Sequence, residues 1–225
     1  MKSYCAFLVA VVATASAQSF TCPEPNGYFP DSKQCDKYYT CIDGVATEEL
    51  CLDGLLFNDN AVWTRNPCDY PIDVDCGSRT VTQPPQSTEL CPHAWGIYFT
   101  GDKANCGTFR NCVGGVAHDF NCPEGLAFNE QSLRCDWPEQ TESCDAAAFI
   151  GFTCPPIEEG DLLAAGGHTR FPNPKDCKKF FVCEGGVNVR LAACEEGMVY
   201  NPEANDCTEP ELVPGCENYY PLSSE

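Results

Sequence analysis

Across 225 residues the chain carries only three histidines, two methionines and 13 lysines and arginines. The histidines, His93, His118 and His168, fall at unrelated points in the sequence, so no general base or imidazole metal set stands out. No Ser-His-Asp, zinc or nucleotide motif is evident, and no two cysteines form a C-x-x-C pair. There is no EF-hand loop either. These absences argue against an enzyme, a cofactor and a resident metal. Basic residues are outnumbered by 33 acids, for a formal net charge of −20. Such a surface repels phosphate backbones and anionic lipid, which excludes nucleic acid and membrane as partners. A neutral polymer or a cationic one stays open. Beyond the N-terminus no apolar run is long enough to cross a bilayer, and no long amphipathic helical pattern is found.

What the chain has in abundance is cysteine, 19 in all, a density typical of a disulfide scaffold. The opening "MKSYCAFLVAVVATASAQ" has one charge, Lys2, then an apolar run from Ala6 to Val12, then Ala15-Ser16-Ala17. This is the pattern of a secretory signal peptide cut before Gln18. Cleavage removes Cys5 and leaves 18 cysteines, an even number bound for an oxidising compartment. It also leaves 12 basic against 33 acidic side chains, a formal charge near −21.

The 18 cysteines fall into three sets of six, beginning at Cys22, Cys91 and Cys154. Five residues separate the second and third cysteines in every set; the next gap is nine, nine and ten. The stretches "CDKYYTC", "CGTFRNC" and "CKKFFVC" occupy the same place. Gly44-Val45, Gly115-Val116 and Gly186-Val187 follow, then "DGLLFN", "EGLAFN" and "EGMVYN", then "CDYP", "CDWP" and "CTEP". Asp43-Gly44 between β-forming residues signals a hairpin. The expected fold is small, disulfide-rich and mostly β: three tandem six-cysteine modules. The expected organisation is a signal peptide at 1–17, modules at 18–77, 91–145 and 154–217, linkers at 78–90 and 146–153, and a loose tail at 218–225. The first linker, polar with two prolines, is expected to be semi-extended. The second is partly apolar, so modules two and three are expected to pack together.

This framework, a cysteine before an aromatic pair, Cys-x-x-Gly, Cys-x-x-Gly-Leu-x-Phe-Asn and Cys-Asp-Tyr/Trp-Pro, resembles the peritrophin-A (type 2) chitin-binding domain. Three copies behind a signal peptide are similar to the arthropod cuticular proteins analogous to peritrophins. The resemblance implies pairing of the first cysteine with the third, the second with the sixth and the fourth with the fifth. In module one these are Cys22–Cys41, Cys35–Cys76 and Cys51–Cys68. In module two they are Cys91–Cys112, Cys106–Cys144 and Cys122–Cys135, and in module three Cys154–Cys183, Cys177–Cys216 and Cys194–Cys207. Spacing alone leaves 15 connectivities per module.

The implied partner is chitin, a neutral β-1,4 N-acetylglucosamine polymer, with partly deacetylated chitin and other matrix proteins as further partners. Flat sugar faces suit exposed rings; removing roughly 100 Å² of apolar surface from water is worth about 2.5 kcal/mol before ordering costs. The ring-bearing positions are compared across the repeats. Tyr38 becomes Phe109 and Phe180, always aromatic. Tyr39 becomes Arg110 and Phe181, and a position that accepts arginine is expected to face solvent. Tyr70 and Trp137 become Glu209. Tyr39, Phe181, Tyr70 and Trp137 are therefore the first candidates for sugar contact, with Tyr38, Phe109 and Phe180 behind them. Strand alternation offers a competing reading, in which Tyr39 shares a face with Cys35 and Cys41. Phe57, Phe128 and Tyr200 are expected in the core, and Asn58, Asn129 and Asn201 at turns or on acetamido groups. Module three lacks the ring at Glu209, so modules one and two are expected to be the better binders. The function expected is a secreted, non-catalytic chitin-binding protein of an extracellular matrix. The alternative is a cystine scaffold that binds a protein partner.

Overall fold

The computed structural model describes residues 20–158, 160 and 167–220. The expected signal peptide and the last five residues lie outside them. Each module opens with a three-stranded antiparallel sheet: β1 (Gly27–Pro30), β2 (Lys37–Ile42) and β3 (Val45–Leu50) in module one. Its counterparts are β6 (Gly96–Phe99), β7 (Thr108–Val113) and β8 (Val116–Asn121), then β11 (His168–Pro172), β12 (Lys179–Glu184) and β13 (Asn188–Ala193). A two-stranded hairpin follows in each: β4 (Leu56–Phe57) with β5 (Cys68–Asp69), β9 (Ala127–Asn129) with β10 (Arg134–Asp136), and β14 (Val199–Asn201) with β15 (Asp206–Thr208). A 3-10 turn beginning at Pro71, Pro138 or Pro210 closes the module. Proline suits that first position, where its missing N–H leaves no gap in the hydrogen bonding.

The hairpin turns explain the spacing. Asp43 and Gly44 both have positive φ, 49° and 79°, as do Gly114 and Gly115 at 59° and 80°. This is the turn whose twist matches two antiparallel strands. It sets Ile42 opposite Val45 and Val113 opposite Val116. In module three Glu184 pairs with Asn188, so Val187 is one extra loop residue. That insertion is the tenth residue in the third-to-fourth cysteine gap.

Disulfides and stacked rings hold each sheet to its hairpin. All nine cysteine pairs are those the resemblance implies. Tyr38 stacks on Phe57 with ring centres 5.0 Å apart, Phe109 on Phe128 at 4.7 Å, and Phe180 on Tyr200 at 4.6 Å. Phe57, Phe128 and Tyr200 are almost fully buried, as expected of core residues.

The segment expected to be a semi-extended linker is tied to the protein along its length. Val81 forms a parallel bridge to Gln34. The buried Arg79 guanidinium pairs with Asp59 at 2.7 Å. Gln83 N donates to the buried Asp36 carboxylate at 2.7 Å, and Gln86 N to the buried Asp53 carboxylate at 2.8 Å. The second connection forms helix α1 (Ala146–Ile150), capped by the Asp145 side chain and ended by Gly151, and it packs on β13. Modules two and three thus pack together. The start of the tail, expected to be loose, is anchored instead: Tyr219 Oη donates to Asp176 at 2.6 Å and Tyr220 Oη to the Met198 carbonyl at 3.1 Å.

Candidate functional site

The adjacent rings of β2 part company by strand alternation. Tyr38 is 7% exposed and turns into the core, where its hydroxyl donates to Glu49 at 2.9 Å. Burial and this carboxylate push its pKa up to about 12. Phe180, 8% exposed, takes the same core position in module three. Phe109 lies between Phe128 and Phe120, the latter at 5.6 Å. The expectation that Tyr38, Phe109 and Phe180 contact sugar is corrected here: their ring faces form the stack that joins sheet to hairpin.

The neighbouring position has another partner. Tyr39 stacks on Phe20 at 4.0 Å, and Phe181 on Phe152 at 4.3 Å. Both partners stand two residues before the first cysteine of their module, where the Cys22–Cys41 and Cys154–Cys183 bonds bring the entering chain against the strand. Phe181 is thereby buried to 6% exposure, and its candidacy as a free platform is corrected as well. In module two Arg110 does the same job with polar bonds, to Asp119 at 2.6 Å and to the Leu90 carbonyl at 3.0 Å. Arginine at this position signals a staple to the entering chain rather than a sugar-facing surface. Tyr39 is only half-buried and keeps an accessible edge, with its hydroxyl 3.3 Å from Asp31.

Tyr70 and Trp137, equivalent in the repeat, both sit where one module meets the next. Tyr70 packs on the module-one core, as does Trp95 of module two. Trp137 carries the Arg190 guanidinium of module three 4.6 Å from its ring centre. The same guanidinium donates from Nε to Glu139 at 2.7 Å. Their counterpart Glu209 is exposed.

Other rings reach solvent. Trp63, 37% exposed, lies 4.7 Å from half-buried Tyr28. Phe120, 48% exposed, crowns the Phe109–Phe128 stack from β8. Repeat comparison passes over Phe120 because its counterparts are Glu49 and Ala192. Counting outward from the Gly114-Gly115 turn finds it opposite Phe109. The asparagines make turns: Asn58, Asn129 and Asn201 each accept from a backbone N–H two residues on, at 2.9, 2.9 and 3.0 Å.

The geometry offers partly exposed rings on rigid, disulfide-bonded sheets. The chitin-binding peritrophin-A domain family matches residues 22–76, 91–144 and 165–216. The chain is 42% identical over 216 residues to Protein obstructor-E of Drosophila melanogaster, covering 92% of this chain and 86% of that protein. It is 31% identical over 117 residues to Peritrophin-1 of Anopheles gambiae, covering 48% of this chain and 72% of that protein. A match to Probable chitinase 10 of Drosophila melanogaster, 22% identical over 81% of this chain, takes in only 10% of that protein. With matched segments that span the first two cysteine frameworks and the third from residue 165 to Cys216, this chain belongs to the chitin-binding peritrophin-A domain family.

Proposed function

We propose that the protein is a secreted, non-catalytic component of an extracellular matrix that binds chitin and organises it. The observation that carries this reading is the repetition of one chitin-binding family domain along most of the chain. No helix among the described residues is long and apolar enough to cross a membrane. The N-terminal pattern supports secretion.

The sugar contacts fall to rings that still have a free face or edge: Trp63 with Tyr28, Tyr39, and Phe120. Tyr70 and Trp137 contribute only what their module neighbours leave open. A ring loses several contacts with water when a pyranose face covers it, and no charge is needed, which suits an acidic protein on a neutral polymer. Partly deacetylated chitin is cationic and is attracted to the same acidic surface; that attraction weakens with salt, whereas stacking on chitin does not.

The test is retention on insoluble chitin, with cellulose as control. Folded wild type is retained on chitin alone. Trp63→Ala and Phe120→Ala each weaken retention, and the double variant weakens it further. Folded wild type that ignores chitin overturns the function. Retention unchanged in the folded double variant overturns the assignment of the rings and leaves the function standing.

A further inference from the structure

Two joints fix the three modules to one another, and they are built from the same positions of the donor module. The first joint centres on Asp53, which is buried and, among the described residues, has His93 as its one basic partner. Its carboxylate takes His93 Nδ1 at 2.7 Å, Ala94 N at 2.7 Å and Gln86 N at 2.8 Å, so one side chain ties module one, the connecting segment 78–90 and module two together. Its carbonyl accepts Trp95 N at 2.9 Å, and Trp95 then packs on the module-one core. Next to it, Gly54 has φ +97°, and a methyl group there would lie 1.9 Å from the Trp95 carbonyl.

The second joint repeats the donor side. Gly125, the counterpart of Gly54, has φ +84°, and a methyl group there would meet Leu191 Cβ of module three at 3.0 Å. Trp137, the counterpart of Tyr70, is covered by Arg190, which is held by Glu139. Lys179 reaches back to Glu124 at 2.8 Å. In module three the glycine counterpart Gly197 has no neighbouring atom within 4 Å of an added methyl group, and the ring is replaced by the exposed Glu209. Ring and close approach thus occur together in modules one and two, at the faces that receive the next module.

We infer that the three modules engage chitin as one rigid body, so that the protein recognises ordered, fibre-like chitin rather than single free chains. This rests on the chitin-binding function proposed above. Flexible tethers let each module search separately; fixed joints set the distances between modules in advance. Prearranged sites gain avidity without an ordering cost only on a partner whose own spacing is fixed. A short dissolved chain meets one module at a time and gains nothing from the joints.

The experiment uses the full mature chain with each joint opened. Asp53→Ala opens the first. Arg190→Glu opens the second, and adding Glu139→Arg restores the ion pair. Small-angle X-ray scattering follows the dimensions; binding is measured to crystalline chitin and to a soluble β-1,4 N-acetylglucosamine hexamer. The expected result is larger, more variable dimensions for each opened variant, with retention on crystalline chitin lower by about tenfold and hexamer binding within about twofold of wild type. The charge swap restores both dimensions and retention. Equal loss for crystal and hexamer overturns the inference, as does wild-type scattering that requires independent modules. If Asp53→Ala fails to fold, Arg190→Glu and its rescue still decide. Folded wild type that binds neither form of chitin overturns the chitin reading itself, and the partner named here with it.

Discussion

Neighbouring side chains in this protein carry separable duties. Tyr38 belongs to the stack that holds sheet to hairpin, so Tyr38→Ala leaves a cavity against Phe57. A cost of about 3–5 kcal/mol is expected for that truncation, by analogy with other large aromatic deletions in cores. Thermal melting checks it. Trp63→Ala, at a ring more than a third exposed, is expected to leave the melting temperature nearly unchanged and to lower chitin retention. If Trp63→Ala instead unfolds the protein, the ring is a structural one. The glycines offer a second contrast. Gly54 and Gly197 occupy equivalent positions with φ of +97° and +88°, so alanine strains the backbone at both. Only at Gly54 does the new methyl also strike a neighbouring module's carbonyl. Gly54→Ala should therefore lower the melting temperature more than Gly197→Ala does; equal shifts would show that the first joint is not closely packed.

At the scale of elements, the strap from Gly77 to Leu90 is held as part of the fold by one β-bridge and by hydrogen bonds to buried carboxylates. Asp53 makes its attachment acid-sensitive. Burial favours its neutral form, but the hydrogen bonds from His93, Ala94 and Gln86 outweigh this and hold its pKa below the ordinary carboxylate value. Its stabilising effect is present above the unfolded pKa and is lost as pH falls through the lower folded value. The first joint should accordingly hold at neutral pH and loosen only below about pH 4. Limited proteolysis across that range checks it: cleavage within residues 77–90 should be slow at neutral pH and should appear under acid, and Asp53→Asn should admit it at neutral pH. How far the sequence discloses these elements follows from the kind of signal. Cysteine spacing and the Asp43-Gly44 turn are local, so the sheets, the hairpins and the extra residue at Val187 can be understood from short stretches. The duty of Tyr39 or Phe181 depends on Phe20 and Phe152, which lie outside the cysteine frame. The surroundings of Trp137 depend on Arg190, 53 positions further along the numbering of another module. A polar, proline-bearing stretch looks like a tether until the buried carboxylates that receive its N–H groups are seen.

At the scale of the whole molecule, nine disulfides each close a loop between residues 13 to 41 apart. In the chain-entropy view a loop of about 15 residues contributes about 3 kcal/mol, and modules this small have little core to fall back on. Full reduction is therefore expected to unfold all three modules and abolish chitin retention, as followed by circular dichroism and pull-down; native-like spectra after complete reduction would place the stability in the ring stacks instead. Unlike joint surfaces have a further consequence. Gly197 and Glu209 stand where Gly54 with Tyr70 and Gly125 with Trp137 seat a following module, and Tyr220 bonds to the Met198 carbonyl beside Gly197. The three modules are thus not interchangeable parts. Module three moved into the first or second place would bring neither the ring nor the close approach to that joint, so the order of the modules is written into their surfaces.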